Sequence, residues 1–425
     1  MPLVRLLTTS LCLTTPYRVL ACELLSLLAG ALLQVSLAWW MASRGGATDL
    51  ARYGVLYSLG SLLAMPLLSP LVDRYAKINL IRLGLMGLLL DAALMSALAA
   101  HASYRLSWLL AGTLLSVLAH GLLQPALACV LAEQLPATAL AAALRLRKRC
   151  QAVGRLLGPA LAGTVLALGG LLPGFLLGAL FLLLALALAS WSAPVPQAAN
   201  LGQAERWLPA LRAGLRAKWG VPLDRYWTLA GCLMMVCFLP ATSMLVPLKL
   251  QSLGLGAAWL GACEAALSGG LLLGTFWLAD KAVRRLGRWH ALLAAVALCG
   301  VGLAMIGPSQ QGWTLLPAFA AIGLGLSVTQ LVGQTHRMLA MPPDFRARMT
   351  AVHLASGQLS AALGPLLAGL LLAHLALHLV YHCLALGFAV SALLLLRVPG
   401  LKGFLQQDHV AVTGWYARHH PQAFG

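Results

Sequence analysis

Three carboxylates stand where carboxylates are costly. Glu23, Asp91 and Glu264 each interrupt a long apolar run, and an acid at that depth marks a cavity, a partner or a proton site. Burial favours the neutral carboxyl and a nearby cation favours the charged one, so protonation can follow the opening and closing of a cavity. Glu23 and Glu264 are expected to couple proton or cation movement, unless Glu23 pairs with a basic neighbour such as Arg18 and Glu264 packs as a hydrogen-bonded side chain. For Asp91 a structural part is the stronger expectation. His120 and Gln124 in one apolar run, with Gln330, Gln334 and His336 in another, are set to line a polar cavity or to bond neighbouring helices. His374, His378 and His382 recur every four residues, the spacing of a one-faced metal site, but an expected chain reversal separates the first from the others. No metal site is expected. No Lys follows a Gly, so there is no G-K-[ST] loop to cradle nucleotide phosphates, and no cofactor is expected.

The elements that position these groups follow from composition. Of 425 residues, 60% are hydrophobic and 9% charged, against about 45–50% and about 25% in a soluble domain. That balance excludes a soluble globular fold, and the absence of low-complexity tracts excludes disorder. A bilayer can hide the surplus, at about 20 apolar residues per crossing helix. Runs bounded by charge, Pro or Gly predict twelve spans, at 17–41, 52–72, 80–100, 106–131, 147–168 and 172–191, then 226–248, 257–279, 289–307, 313–339, 349–373 and 378–397. The stretch from Ser192 to Arg225 is the most polar and reads as a linker.

The net charge of +18 is spread in short clusters between spans, so it orients helices and gives no reason to expect nucleic acid. With the N-terminus inside, only Arg44, Arg52, Arg105 and Lys249 of the 29 Lys and Arg fall outside. An even number of crossings with both termini in the cytoplasm follows. The nine cysteines lie mostly within apolar runs without C-x-x-C spacing, which reads as packing and not as a disulfide framework. No small-residue cleavage site follows the Leu/Thr run after Arg5, so a cleaved signal peptide is not expected.

The two halves repeat. Asp73-Arg74 after the second span corresponds to Asp280-Lys281 after the eighth. Gly158-Pro159-x-x-x-Gly163 in the fifth corresponds, at nearly the same step, to Gly364-Pro365-x-x-x-Gly369 in the eleventh. The Gly-Pro pairs allow close approach and a kink. Arg74 and Lys77 are expected to pair with Glu133 and so lock an inner gate. Two related six-helix halves are the architecture of a transporter that alternates access around a midplane site.

Ser69-Pro70-Leu71-Val72-Asp73-Arg74-Tyr75-Ala76-Lys77 resembles the loop motif between helices 2 and 3 of the major facilitator superfamily, with Ser69 and Ala76 near the places of two missing glycines. Gly154-x-x-x-Gly158-Pro159-x-x-x-Gly163 resembles the helix 5 motif held to mark its exporters. The run from Pro343 to Met349 is similar to the branch of enterobactin exporters and macrolide efflux pumps. The fourth helix has His120-Gly121 where drug–proton antiporters carry an Arg.

The resemblance implies an all-α integral membrane fold of twelve transmembrane helices in two pseudo-symmetric six-helix bundles, with helices 1, 4, 7 and 10 around the cavity. The implied units are 1–191, a linker at 192–225, 226–397 and a cytoplasmic tail at 398–425. The implied activity is export of a small amphipathic molecule, a siderophore or drug, across the inner membrane by proton antiport, from a monomer. An importer or lysolipid flippase of the same fold is the alternative. An acyltransferase, the alternative of another class, lacks H-x-x-x-x-D.

Overall fold

The computed structural model describes residues 15–134, 137–191 and 207–424. Ten helices among the described residues are long and apolar enough to cross a bilayer. Two are too long for one crossing, Tyr17–Ala64 with 48 residues and Ala258–Ile306 with 49. Each would run about 70 Å, against a hydrocarbon layer of about 30 Å. Both are broken by a glycine in the left-handed region, Gly46 (φ 66°) and Gly287 (φ 73°), a conformation open to a residue without Cβ. Two breaks turn ten helices into the twelve expected crossings.

In chain order, α1 (Thr15–Arg74) makes the first two crossings as two arms about Gly46. α2 (Lys77–Ala100), α3 (Leu106–Gln134), α4 (Ala137–Gly169) and α5 (Leu171–Ser190) complete the first half. α6 (Trp207–Gly220) is a short amphipathic helix before the second half. α7 (Pro222–Leu239) runs through a π turn at Pro240–Met244 into α8 (Leu245–Ser252), and α9 (Ala258–Leu273) through another at Gly274–Leu278 into α10 (Ala279–Ile306). α11 (Gly312–Ala340), α12 (Pro343–Leu372) and α13 (Leu377–Leu393) follow. The chain closes with the small helices α14 (Leu401–Gln406), α15 (His409–Val412) and α16 (Trp415–His419).

Most of the crossing helices are apolar all round, so packing decides which face turns inward. On α2, Leu83, Met86 and Leu90 are exposed while Ile81, Leu85, Leu88 and Ala92 are buried. The first set points away from the bundle, where lipid would lie, and the helix packs its other side on α3 and α5. Within the second half α9 packs on α11, α10 on α11 and α13, and α7 on α12 and α13.

The halves meet chiefly through two pairs, α1 with α12 and α4 with α9, with a smaller contact of α1 on α8. In crossing numbers these are 2 with 11 and 5 with 8. The internal repeat relates crossing 2 to 8 and 5 to 11, so each contact is the image of the other. The glycines of the repeated motif do the joining. A Cβ on Gly163 would lie 2.6 Å from Cα of Gly261, so α4 and α9 touch backbone to backbone, as small residues permit in a bilayer. Ser58 Oγ donates to Ala361 O at 2.9 Å across the other pair.

The last residues are no loose tail. Gly414 N donates to Leu339 O at 2.9 Å, Arg288 Nη1 donates to Gln407 O at 3.0 Å, and Tyr416 is fully buried.

Candidate functional site

The contacts between halves gather toward the end that carries Gly46, Gly163 and Gly261. From there a cavity of ≈ 530 Å³ extends toward Lys148, Gln124 and Gln330, which line it and are exposed. It therefore reaches the end rich in Lys and Arg.

Asp91 from α2, His120 from α3 and Glu264 from α9 line this cavity. Asp91 is 5% exposed and its Oδ1 has no hydrogen-bond partner among the described residues. No partner is recorded for Glu264 among the described residues. His120 Nδ1 donates to Ser116 O at 2.9 Å, which leaves Nε2 as the ring's free nitrogen. Gln124 and Gln330 line the same cavity. Tyr53 and Tyr57, one helical turn apart with ring centres 6.0 Å apart, and Gln34 line both this cavity and an adjoining one of ≈ 350 Å³, as does Glu264. The walls offer carboxylate, imidazole, phenol and amide groups among leucines, a lining for a molecule with polar and apolar parts.

Several expectations change on this geometry. Asp91, expected to play a structural part, faces the cavity, because α2 packs with its Leu88–Asp91–Met95 face inward. Glu23 does not line the cavity. It is 2% exposed and accepts hydrogen bonds from Arg147 Nε at 2.7 Å and Nη2 at 2.8 Å and from Gln151 Nε2 at 2.7 Å. Arg18, the partner expected from sequence, donates instead to Trp191 O. Gln334 lines a different cavity inside the second half. His336 is buried against Phe404 and His409, with Nε2 3.4 Å from Gln407 O. It serves the docking of the tail.

Gly154 and Pro159 line the cavity, and Gly158 is buried where its Cβ would meet Ala31. Gly364 packs on Pro240 and Gly369 on Ala51, while Pro365 meets Gly54. Asp280 and Lys281 are exposed. Lys77 is buried at the start of α2. The side chains of Asp73, Arg74 and Glu133, and the linker residues 192–206, lie outside the described residues. His374 sits in the turn before α13, and His382 Nδ1 donates to His378 O at 2.6 Å. No cluster of three metal-ligating residues occurs among the described residues.

A second ion cluster lies at the same end of the second half. Asp224, 0% exposed, takes Lys218 Nζ at 2.7 Å, Arg337 Nε at 3.2 Å and the Tyr416 hydroxyl at 3.3 Å. Arg337 stacks over Trp227 at 4.0 Å and its Nη1 is 3.3 Å from His353 Nδ1. Burial holds the Lys218 ammonium below its usual range, with the Asp224 charge opposing the shift, and burial pushes the Tyr416 phenol well up. Sequence reasoning left Asp224 and Lys218 in the linker and Arg337 in the topology count. The available signal was the acid's place at the first crossing of the second half, near where the repeat sets Glu23 in the first.

A sequence model of the Major Facilitator Superfamily matches residues 19–352. Among solved structures, a mutant of the nucleoside transporter NupG superposes with a TM-score of 0.73 at 12% identity, covering 91% of this chain and 100% of that one. An inward-facing, unoccupied bacterial homologue of the lysosomal transporter Spinster gives 0.62 at 14% identity, covering 96% and 97%. An inward-facing bacterial homologue of the iron transporter ferroportin gives 0.68 at 15%, covering 90% and 98%.

Proposed function

The chain belongs to the major facilitator superfamily and is a multi-pass secondary transporter, not an enzyme; from that premise we propose that it exports a small amphipathic molecule, a siderophore or drug, against inward proton flow. The observation that carries this reading is the pair Asp91 and Glu264, two carboxylates on one cavity between the halves, with Asp91 Oδ1 unpartnered among the described residues. A carboxylate left unpaired in a low-dielectric space is costly while charged. When the cavity is open to water the charge is tolerated; when the halves close on it, taking up a proton removes the cost. Proton load and cavity orientation are thereby tied, with alternating access as the consequence.

Glu23 is set aside as a coupling group, because its charge is already matched by Arg147. Asp73, Arg74, Lys77 and Glu133 keep the gating part that their places in the sequence lead us to expect. The basic end is the cytoplasmic one in this reading, with both termini on that side of the inner membrane and a monomer as the working unit. The units 1–191 and 226–397 are the two rocking bodies.

The test uses proteoliposomes carrying an imposed pH gradient and a panel of siderophores and drugs. Glu264→Gln and Asp91→Asn are expected to abolish gradient-driven accumulation while leaving exchange of cargo across the membrane. Full gradient-driven flux in both variants would sink the coupling scheme. Import is the second reading, favoured by the likeness in fold to a nucleoside transporter; accumulation in the opposite direction under the same gradient would select it.

A further inference from the structure

A second cavity, ≈ 590 Å³, lies inside the second half, walled by α7, α10, α11, α12 and α13 and separate from the cleft between the halves except at Gln330. Its walls are largely apolar and soft, with Met234, Met235, Phe238, Met338, Leu292 and Val296, and also carry Gln334, Thr350 and His353. Methionine adapts its shape to a flexible occupant, and the volume is in the range of small-molecule sites. Its polar end is Arg337, whose side chain is 10% exposed. The Arg337 Nε stands off the hydrogen-bond axis to Asp224, and Nη2, itself buried, has no hydrogen-bond partner among the described residues.

Charge completes the case. Among the described residues Asp224 is the one carboxylate paired with this cluster, and it faces two cations, Lys218 and Arg337. One positive charge is left over, buried, and carried on a guanidinium that lines an apolar cavity. Buried charge calls for a partner, and guanidinium forms strong charge-assisted bonds with carboxylates.

We propose that this cavity is a second binding site, for a monoanionic amphiphile with a single apolar chain: a chain carboxylate whose head meets the Arg337 guanidinium and whose tail lies among the methionines. One negative charge balances the cluster. A phosphomonoester, with about −1.5 to −2 at neutral pH, would overshoot it.

The test is calorimetric titration of the purified full-length protein in neutral detergent with dodecanoate, dodecylamine, dodecanol and acetate. Dodecanoate is expected to bind at least tenfold tighter than the other three. Arg337→Gln is expected to erase that preference; it leaves Asp224 matched one to one by Lys218, so the fold survives. Gly231→Leu fills the cavity from a wall position where a Cβ meets open space, and is expected to abolish binding of dodecanoate without touching the ion cluster. Equal binding of the three twelve-carbon compounds, or none by dodecanoate, overturns the proposal. So does unchanged dodecanoate affinity in Gly231→Leu, which would put the ligand elsewhere. Preference for dodecanoate retained in Arg337→Gln would overturn the anion-binding role.

Discussion

The basic ends of the two halves solve one problem differently. Each begins its first crossing with a buried acid, Glu23 or Asp224. In the first half the acid has one cation, Arg147, and one neutral donor, Gln151. In the second it has two cations and a phenol from the chain's last segment. The step that carries Gly158 onto Gly364 carries Arg147 onto His353. The second half thus has an imidazole where the first has its guanidinium, and recruits Arg337 from the preceding crossing and Lys218 from α6. Balanced charge makes the first clamp a staple. Surplus charge, beside a cavity, leaves the second able to receive a ligand.

The comparison makes ordered predictions. Asp224→Asn strips the carboxylate from two buried cations and is expected to cost about 3–5 kcal/mol, the usual penalty for breaking a buried pair, read as a drop in Tm. Arg147→Gln is expected to cost less, about 1–3 kcal/mol, because one charge loses its partner instead of two and Glu23 keeps the neutral donor Gln151. If Arg147→Gln proves the more damaging, the contrast between staple and surplus fails. Tyr416→Phe removes one long hydrogen bond to a charged acceptor and should cost about 1 kcal/mol. No change at all would mean that the tail docks through its aromatic contacts alone.

The smallest effect is one of pH. The depressed Lys218 ammonium means that the folded state sheds this proton below 10.5, where the unfolded chain still holds it. Fewer protons on the folded state make stability rise with pH in that window. The wild type should therefore gain Tm relative to Lys218→Met between neutral pH and about pH 10. A constant difference would place Lys218 in a better-solvated setting than its burial implies.

Much of the fold was legible because its signals are local. Spans come from runs of about 20 apolar residues, the sidedness of the charge comes from loops, and the repeat shows in paired motifs such as Gly158-Pro159 and Gly364-Pro365. Even the two over-long helices break at glycines between adjacent expected spans. At the candidate site, Glu264, His120, Gln124 and Gln330 were found because polar groups in apolar runs stand out, and all four reach the cavity.

What the sequence determined by itself is how many times the chain crosses, how the crossings pair into halves, and which end gathers the positive charge. Tertiary structure alone decided that Glu23 belongs to Arg147, 124 residues away, that Asp91 faces the cavity, and that the C-terminal segment seals the Asp224 cluster. The physical reason is that an apolar helix carries little mark of which face will meet lipid and which will meet protein. Hydropathy puts a residue at a depth; only the packing of neighbouring helices gives it a direction and a partner.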